Sequence, residues 1–457
     1  KHSTVVYDSP SQETDPMIEP VANTVTPSMW IAGSILFFAY LLIFSEVIHR
    51  TLAGVIGAVV MVLAGLIGGF YSQADAVAAI DANTMFLLAG MMTLVVMLRP
   101  TGGFEYVAIR IAKLSKGSPV RLLVYLSTVV TIISLFLDNV TTVLVFAPLT
   151  VVIARLLGIT PVPYLMAQAL LSDTGGVATL VGDPPNVMIG SAADIDFNTF
   201  LFHMGPIILV SWIATVFLLL FMFRKELSQE IDGVLDLDES KVLKDPRALF
   251  AVCLSIGIVI VLFFIHHRFH LFPGYVSWVG VAVAFALVRP NPDELLRGLD
   301  WSLLFFFAGL FIIVGGVEGS GLLNLLGQQL IEVAADPEKL LLTALVIMWV
   351  SALMSAIVDN IPFTVTMIPI IAHLETQGVD VMPLWWALAL GVGLGGNGSH
   401  IGSTANVVCV AEAERTGNPK YRISPILWLK KGTPVMLTTL VISSIFLVIF
   451  FDNYRGM

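Results

Sequence analysis

Long apolar runs follow one another along most of the chain and are separated by short polar segments. A helix that crosses a bilayer needs about 20 apolar residues. The pattern predicts membrane crossings at 29–48, 51–70, 84–98, 164–193, 205–223, 248–265, 273–288, 302–317, 384–412 and 433–451. The first run lacks a basic flank and a small-residue cleavage site, so it is typical of a membrane helix and not of a signal peptide.

Two further apolar regions, 119–155 and 339–373, are too long for one crossing, and a polar cluster interrupts each near its middle. We expect both to be re-entrant hairpins, which enter and leave the membrane on the same side. Two other stretches, 104–114 and 322–333, are predicted to be amphipathic helices at the membrane interface.

Basic residues are distributed unevenly between alternate loops. With the N-terminus outside, the inside loops hold 19 of the 23 Lys and Arg residues, as the positive-inside rule requires. An odd number of crossings in either long region would remove this asymmetry. The pattern predicts a multi-pass inner-membrane protein with both termini outside. Its expected parts are a mobile polar tail (1–28), a first repeat with a preceding helix (29–223), a cytoplasmic linker (224–247) and a second repeat with a preceding helix (248–457).

Composition agrees with lipid as the main solvent of the chain. Mean hydropathy is +0.91, and charged residues make up 12%, about half the share in soluble proteins. The net charge of -10 and the lack of a basic patch argue against nucleic acid. Cys253 and Cys409 support neither a disulfide framework nor a zinc site. A metal site at His266, His267 and His270 is disfavoured, and no cofactor is predicted.

The two halves of the chain carry matching motifs. The corresponding positions are Asp138-Asn139 and Asp359-Asn360, Pro148 and Pro369, Gly175-Gly176 and Gly395-Gly396, Gly182 and Gly402, Asn186 and Asn406, and Asp81 and Asp300. Their separations lie between 219 and 221 residues. In the predicted topology the first hairpin opens to the inside and the second to the outside, so the repeats are inverted. Inverted repeats with broken helices at matching places are typical of secondary transporters.

Four polar segments inside the apolar spans carry the candidate chemistry: 138–142, 175–186, 359–364 and 395–406. Irregular backbone at membrane depth is tolerated only where it is buried in protein or faces water. Asp and Asn at a hairpin tip are strong N-caps, and the amides of the helix they begin would point into a cavity. Carbonyl groups freed at the breaks could bind a hard cation or accept hydrogen bonds from hydroxyl groups.

The candidate residues for binding substrate or ions are Asp138, Asn139, Thr141, Thr142, Gly182, Asp183, Asn186, Asp359, Asn360, Thr364, Gly402, Ser403 and Asn406. The candidates for proton coupling are Asp138, Asp359 and Asp173, because a carboxylate at membrane depth is costly and usually marks an ion path. The alternative is that these residues only cap or break helices. Hydroxyl groups in membrane helices often bond to their own backbone.

Four stretches that contain or overlap the polar segments are similar to motifs of the ion transporter superfamily. They are FLDNVTTVLVFAP (136–148), GDPPNVMIGS (182–191), VDNIPFTVTMIP (358–369) and GGNGSHIGSTANVVC (395–409). They resemble the clade of ArsB-type arsenite efflux permeases, NhaD-type sodium/proton antiporters and the melanosomal P protein, and look closest to the P-protein-like branch. The resemblance covers nearly everything after residue 29. Related dicarboxylate/sodium symporters carry Ser-Asn-Thr at the hairpin tip. Here Asp138 and Asp359 occupy the serine position, which argues against a carboxylate substrate.

The resemblance implies an all-helical fold with a scaffold domain and a transport domain that moves like an elevator, often in a homodimer. It implies that Asn139 with the Gly182 region, and Asn360 with the Gly402 region, form two half-sites. The implied partners are the lipid bilayer, a small inorganic substrate with protons or sodium, and a cytoplasmic ATPase subunit.

Proton-coupled efflux of arsenite and antimonite is the function we expect first. Arsenite is an uncharged trihydroxide at neutral pH, and two cysteines cannot form a three-thiolate site, so recognition would use Asn, Thr, Ser and backbone groups. Sodium/proton antiport through the same oxygen atoms is the first alternative, and anion transport like that of the P protein is the second. An enzyme or a passive channel is disfavoured, since no zinc-protease or nucleophile motif occurs.

Overall fold

The computed structural model describes residues 25–45, 47–228, 242–325, 327, 336, 338–357 and 359–455. These residues form helices joined by turns and short loops, and no strand occurs among them. The α-helices are α1 (Pro27–Ser45), α2 (Arg50–Gly68), α3 (Gln73–Ala78), α4 (Ala82–Leu98), α5 (Gly103–Leu114), α6 (Pro119–Ser134), α7 (Asn139–Leu156), α8 (Val162–Gly176), α9 (Pro184–Ala192), α10 (Phe197–Met222), α11 (Pro246–Ile265), α12 (Pro273–Val288), α13 (Pro292–Gly298), α14 (Trp301–Gly319), α15 (Leu340–Ile357), α16 (Asn360–Thr376), α17 (Met382–Gly395), α18 (Thr404–Arg415) and α19 (Pro425–Ile449).

Eight helical stretches among the described residues are long and apolar enough to cross a membrane. They are Arg50–Gly68, Ala82–Thr101, Asn139–Leu156, Phe197–Met222, Pro246–Phe269, Trp301–Gly319, Leu340–Ile357 and Pro419–Ile449. Shorter apolar helices lie at Pro27–Ile43, Pro119–Ser134 and Pro273–Val288. The expectation of an all-helical, multi-pass membrane protein is confirmed. The orientation of its termini stays a prediction.

Polar N-caps fix where several of these helices begin. The Asp81 side chain accepts a hydrogen bond from the Thr84 amide, so α4 begins two residues before the predicted crossing at 84. Ser424 caps α19 in the same way, which places the start of that helix eight residues before the predicted 433. Both side chains satisfy amides that have no partner inside the helix.

Each of the two long apolar regions divides into two helices at its polar cluster. The first forms α6 and α7, with Asp138 as the N-cap of α7. The second forms α15 and α16, with Asp359 at the N-cap position of α16. The predicted crossings 164–193 and 384–412 are each broken as well, into α8 and α9 and into α17 and α18. We call the segment between α8 and α9 (177–183) the first break and that between α17 and α18 (396–403) the second break. That each hairpin enters and leaves the membrane on the same side stays a prediction.

The helix expected at 104–114 is present as α5, whose buried face includes Phe104, Ala108 and Ile111. Its place at the membrane interface stays a prediction. The second expected interfacial helix, 322–333, lies mostly outside the described residues, as do most of the tail 1–28 and the centre of the linker 224–247. The division of the chain into these parts therefore stays a prediction.

Small residues allow the closest helix contacts. A Cβ atom at Gly309 on α14 would lie 2.7 Å from the backbone carbon of Gly54 on α2. Such contacts let membrane helices approach without the help of the hydrophobic effect, which is weak between helices in lipid. The α2–α14 pair belongs to a buried apolar cluster that also includes α1. The hairpins and broken helices contribute mainly to a second, larger cluster.

The hairpins lie directly against the broken helices. A Cβ atom at Gly182 would be 2.5 Å from the Gly176 carbonyl oxygen and 2.7 Å from that of Ser134, at the end of α6. At Gly402 the corresponding distances are 2.6 Å to the Gly396 oxygen and 2.9 Å to the Ser355 oxygen on α15. Only glycine fits these positions, because the obstructing atoms belong to backbone.

Labelling of single cysteines tests the predicted topology. In a Cys253→Ser background, Lys225→Cys should react from the cytoplasmic side and Thr376→Cys from the opposite side. Both native residues are exposed, whereas Cys409 is buried and should remain unlabelled. A membrane-impermeant maleimide, applied to intact cells and to everted vesicles, makes the distinction. Reaction of both positions from one side would contradict the inverted arrangement.

Substitution of the contact glycines tests the packing of hairpins on breaks. Gly182→Ala and Gly402→Ala should each lower the stability of the detergent-solubilised protein by about 1–3 kcal/mol, the usual cost of overpacking. Gly257→Ala is the matched control, since nothing lies within 4 Å of its added Cβ and alanine favours helix. Thermal unfolding measures all three variants. Equal loss of stability in the control would remove the packing argument.

Candidate functional site

The two broken helices are braced by the same hydrogen bonds. Asn186 donates from Nδ2 to the carbonyl oxygens of Gly176, at 3.1 Å, and Thr179, at 2.9 Å. Asn406 donates to the oxygens at the positions 220 residues further on, Gly396 at 2.9 Å and Ser399 at 3.0 Å. These amide nitrogens hold the breaks in shape. The Oδ1 atoms of both asparagines are buried, and neither has a hydrogen-bond partner in the described part of the chain.

The hairpins are attached to the breaks by another repeated bond. The Ser134 hydroxyl donates to the Ser172 carbonyl oxygen at 2.9 Å. The corresponding Ser355 hydroxyl donates to the Val392 oxygen at 2.7 Å. The internal repeat seen in the sequence is therefore present in the contacts of the two halves. Inversion of one half relative to the other across a membrane stays a prediction.

Asp173 connects three of the polar segments. It lies near the end of α8 and is buried. Its Oδ1 atom accepts hydrogen bonds from Nδ2 of Asn139 at 2.9 Å and from the Ser403 hydroxyl at 3.0 Å. Its other carboxylate oxygen is buried and has no hydrogen-bond partner among the described residues. A carboxylate from the first half is thus held by the first hairpin and by the second break.

Asp183 provides the complementary connection. It is buried in the first break, where its Oδ2 atom accepts a hydrogen bond from Nδ2 of Asn360 at 3.1 Å. It also interacts electrostatically with Asp173, Asp359 and Asp138. The predicted half-sites are therefore joined through carboxylates. Asn139 reaches Asp173, and Asn360 reaches across to the first break.

The two hairpin-tip aspartates have different surroundings. Asp138 accepts a hydrogen bond from the Thr141 amide at 3.0 Å and lines a cavity of about 100 Å³ together with Arg99. Asp359 forms an ion pair with Arg50 at 3.0 Å and accepts a hydrogen bond from the Thr404 hydroxyl at 3.1 Å. It lines a larger cavity of about 410 Å³. The two aspartates occupy equivalent positions in the matching motifs, but their contacts in the structure differ.

Arg50 is a residue that the sequence analysis did not place at the site. It lies at the start of α2, donates to the Thr404 hydroxyl at 2.8 Å and stacks over the Phe306 ring at 5.4 Å. The sequence indicates only a basic residue before an apolar run. Nothing in the spacing connects it to Asp359, 309 residues away.

Asn397 is a second residue that sequence reasoning left out of the site. Its Nδ2 atom donates to the Leu170 carbonyl oxygen at 3.3 Å and to the Thr174 hydroxyl at 3.2 Å. It therefore ties the second break to α8, beside Asp173. Its presence in a glycine-rich break was the available signal.

The remaining candidate residues differ in their surroundings. The Thr142 hydroxyl is buried with no hydrogen-bond partner among the described residues. Thr364 donates to the Asn360 carbonyl oxygen in its own helix at 2.7 Å, which matches the local, structural alternative. Gly182 and Gly402 provide close contact between hairpin and break. Cys409 is buried and donates to the Leu165 oxygen at 3.2 Å.

Comparison with known proteins identifies the family. A family model described as CitMHS, citrate transporter, matches residues 40–391. A 46 kDa membrane protein of Mycobacterium leprae is 37% identical over 91% of this chain and 97% of its own length. An uncharacterized transporter of Mycobacterium tuberculosis is 38% identical with the same coverage. The human P protein is 31% identical over 93% of this chain, which spans 60% of that protein.

A solved structure shares the fold. The crystal structure of the YdaH transporter of Alcanivorax borkumensis aligns with a TM-score of 0.58, covering 94% of this chain and all of that one at 15% identity. The family match covers most of the chain, and the two mycobacterial relatives align nearly end to end. This chain is therefore a multi-pass membrane transporter that belongs to the CitMHS family.

Proposed function

We propose that this transporter is a secondary active exporter of arsenite and antimonite that exchanges them for protons. The observation that carries the proposal is the pair of buried carboxylates, Asp173 and Asp183, held by amide and hydroxyl donors from both halves. Neither carboxylate forms an ion pair with a basic side chain of the described residues.

Charge explains why this core suits proton coupling. Two carboxylates that interact in a water-poor interior repel each other, and both cannot stay ionised without a cation. The core therefore takes up a proton or a metal cation, and it releases that ion where water reaches it. Acidic residues inside membranes commonly serve such paths.

Hydrogen-bonding capacity supports a neutral trihydroxide as cargo. The buried core offers acceptor oxygens without partners in the described chain: Oδ2 of Asp173, Oδ1 of Asn186, Oδ1 of Asn406 and Oγ1 of Thr142. Arsenite carries three O–H donors and no charge. It would satisfy such acceptors without adding to the repulsion between the carboxylates.

Sodium/proton antiport is the second candidate. The same unpartnered oxygens are hard ligands of the kind that alkali and alkaline-earth cations prefer. A cation would also neutralise Asp173 and Asp183 directly.

Anionic cargo is the less favoured alternative. The family description names citrate, and relatives include the P protein. An anion would be repelled by the acidic core. Transport of citrate or chloride would therefore contradict the proposal.

An elevator-type cycle in the plasma membrane is the mechanism we propose. Polar contacts join α1 and α2 to the second hairpin in the described part of the chain. They include the Tyr40 hydroxyl, which donates to the Pro362 oxygen at 2.7 Å, and the ion pair of Arg50 with Asp359. These contacts would break and re-form as the hairpins and broken helices move. A homodimer and a cytoplasmic ATPase subunit rest on the family resemblance alone.

Removal of the core carboxylates tests the coupling. Asp173→Asn and Asp183→Asn should each abolish proton-driven transport, because asparagine keeps the shape of the side chain and loses the titratable charge. Glu375→Gln is the control, since Glu375 is exposed on α16. Everted vesicles would be assayed with arsenite, sodium, citrate and chloride while the internal pH is recorded.

The outcomes separate the alternatives. Proton release driven by arsenite, lost in both asparagine variants and kept in the control, supports the proposal. Proton release driven only by sodium would assign antiport. Coupled uptake of citrate or chloride, or full activity in both variants, would overturn the role given to these carboxylates.

Substitution of one hydroxyl tests cargo recognition. Thr142→Val should weaken arsenite transport about fivefold, because one hydrogen bond of roughly 1 kcal/mol is lost. Thr215→Val on α10 is matched to it, since its hydroxyl is also buried and unpartnered among the described residues. Cys253→Ser combined with Cys409→Ser should retain most transport. Measurements are arsenite resistance and vesicle uptake at equal membrane levels of protein.

Soft-metal chemistry would give the opposite pattern. Loss of resistance in the cysteine-free protein, with Thr142→Val unaffected, would require thiolate ligation and would contradict hydrogen-bonded recognition. An equal loss in Thr142→Val and Thr215→Val would indicate a packing defect.

A further inference from the structure

Another cavity lies away from the acidic core, between α4, α12, α13 and α14. Its volume is about 490 Å³. Apolar side chains form most of its wall, among them Phe285, Leu295, Leu299, Trp301 and Leu304. We refer to it as the α12–α14 groove.

Nearly every polar side-chain group of the groove is already satisfied within the protein. The Thr93 hydroxyl donates to the Ala89 oxygen at 2.7 Å. The indole nitrogen of Trp278 donates to the Phe86 oxygen at 2.9 Å, and that of Trp301 to the Leu296 oxygen at 2.8 Å. Two prolines in the wall have no N–H group. These walls offer little to a polar, water-soluble ligand.

Arg289 is the exception. It lines the groove and is exposed, and its guanidinium has no hydrogen bond or ion pair within the described residues. It also ends α12 in a left-handed conformation, with φ of 53°, where glycine or asparagine is usual. Such a conformation costs free energy in a residue with a long side chain. An exposed arginine with this costly backbone conformation, and with no protein partner among the described residues, points to a ligand for its charge.

We propose that the α12–α14 groove binds an anionic glycerophospholipid, with an acyl chain along the apolar wall and the phosphate on Arg289. In the predicted topology Arg289 lies on the inside, where the leaflet carries anionic lipids that attract basic residues. Trp278 and Trp301 are of the type found at the membrane–water boundary. A second copy of the chain fits less well, because it would bury an unpaired guanidinium.

The test uses the full-length protein in a neutral detergent. Binding of phosphatidylglycerol and of phosphatidylcholine with identical acyl chains would be measured by native mass spectrometry and by thermal shift. Glycerol phosphate, which has the headgroup without the chains, is the third probe. We expect phosphatidylglycerol to bind roughly fivefold more tightly than phosphatidylcholine, which corresponds to about 1 kcal/mol for one basic residue.

Three variants locate the site. Arg289→Gln should remove the preference for phosphatidylglycerol. Arg297→Gln, an exposed arginine on α13 that is not part of the groove wall, should keep it. Leu296→Trp should fill the groove and weaken both lipids.

Each contrary outcome has a definite meaning. A preference that survives in Arg289→Gln, or that disappears equally in Arg297→Gln, would overturn the site in favour of general surface electrostatics. Binding of glycerol phosphate as tight as that of the lipid would exclude the role of the apolar wall. A dimer that dissociates in Leu296→Trp, without a change in lipid preference, would assign the groove to a second copy. These readouts do not depend on which solute the transporter carries.

Discussion

A broken helix inside a membrane exposes backbone groups that water cannot reach, and this constraint organises the centre of the protein. Lipid offers no hydrogen-bond partners, so the protein must supply them. Asn186 and Asn406 do so for the carbonyl groups of the two breaks. Ser134 and Ser355 attach the hairpins to the same regions. The hairpins, the breaks and the glycines between them form one unit for this reason.

The same bracing leaves other atoms unsatisfied. Each bracing asparagine uses its amide nitrogen and leaves its oxygen buried without a partner in the described chain. Asp173 is similar, because its Oδ1 atom accepts two hydrogen bonds and its buried Oδ2 atom accepts none from the described residues. A native interior rarely tolerates such atoms unless they have a use. The polar network that holds the backbone thus also forms a set of acceptors, and the proposal of a cargo rich in hydroxyl donors, or of a cation, rests on them.

The sequence allowed us to predict most of the helices and breaks, but few of the contacts between distant segments. Apolar run length and polar interruptions indicated nearly every membrane helix, both hairpin tips and both breaks, because these are local properties of the chain. Helix starts such as Pro425 were missed, because a serine cap lies outside the apolar run.

Contacts between distant segments could not be read in the same way. Asn360 and Asp183 are 177 residues apart, and Ser403 and Asp173 are 230 apart. Spacing shows that each residue lies in a polar break and does not show which breaks face each other. Arg50 was missed for the same reason. Thr364 was included on its position in a motif, whereas its hydroxyl bonds within its own helix.

Packing fixes a difference between the two halves that their repeated motifs conceal. Asp173 corresponds to Gly393, and Val177 corresponds to Asn397. A Cβ atom at Gly393 would collide with the Val177 side chain, so an acid cannot enter position 393 while Val177 stays. The acid therefore lies in the first half and the bridging amide in the second. Neither half can be replaced by a copy of its counterpart, because the copy would bring an acid against Val177 or remove the amide that bridges the two halves.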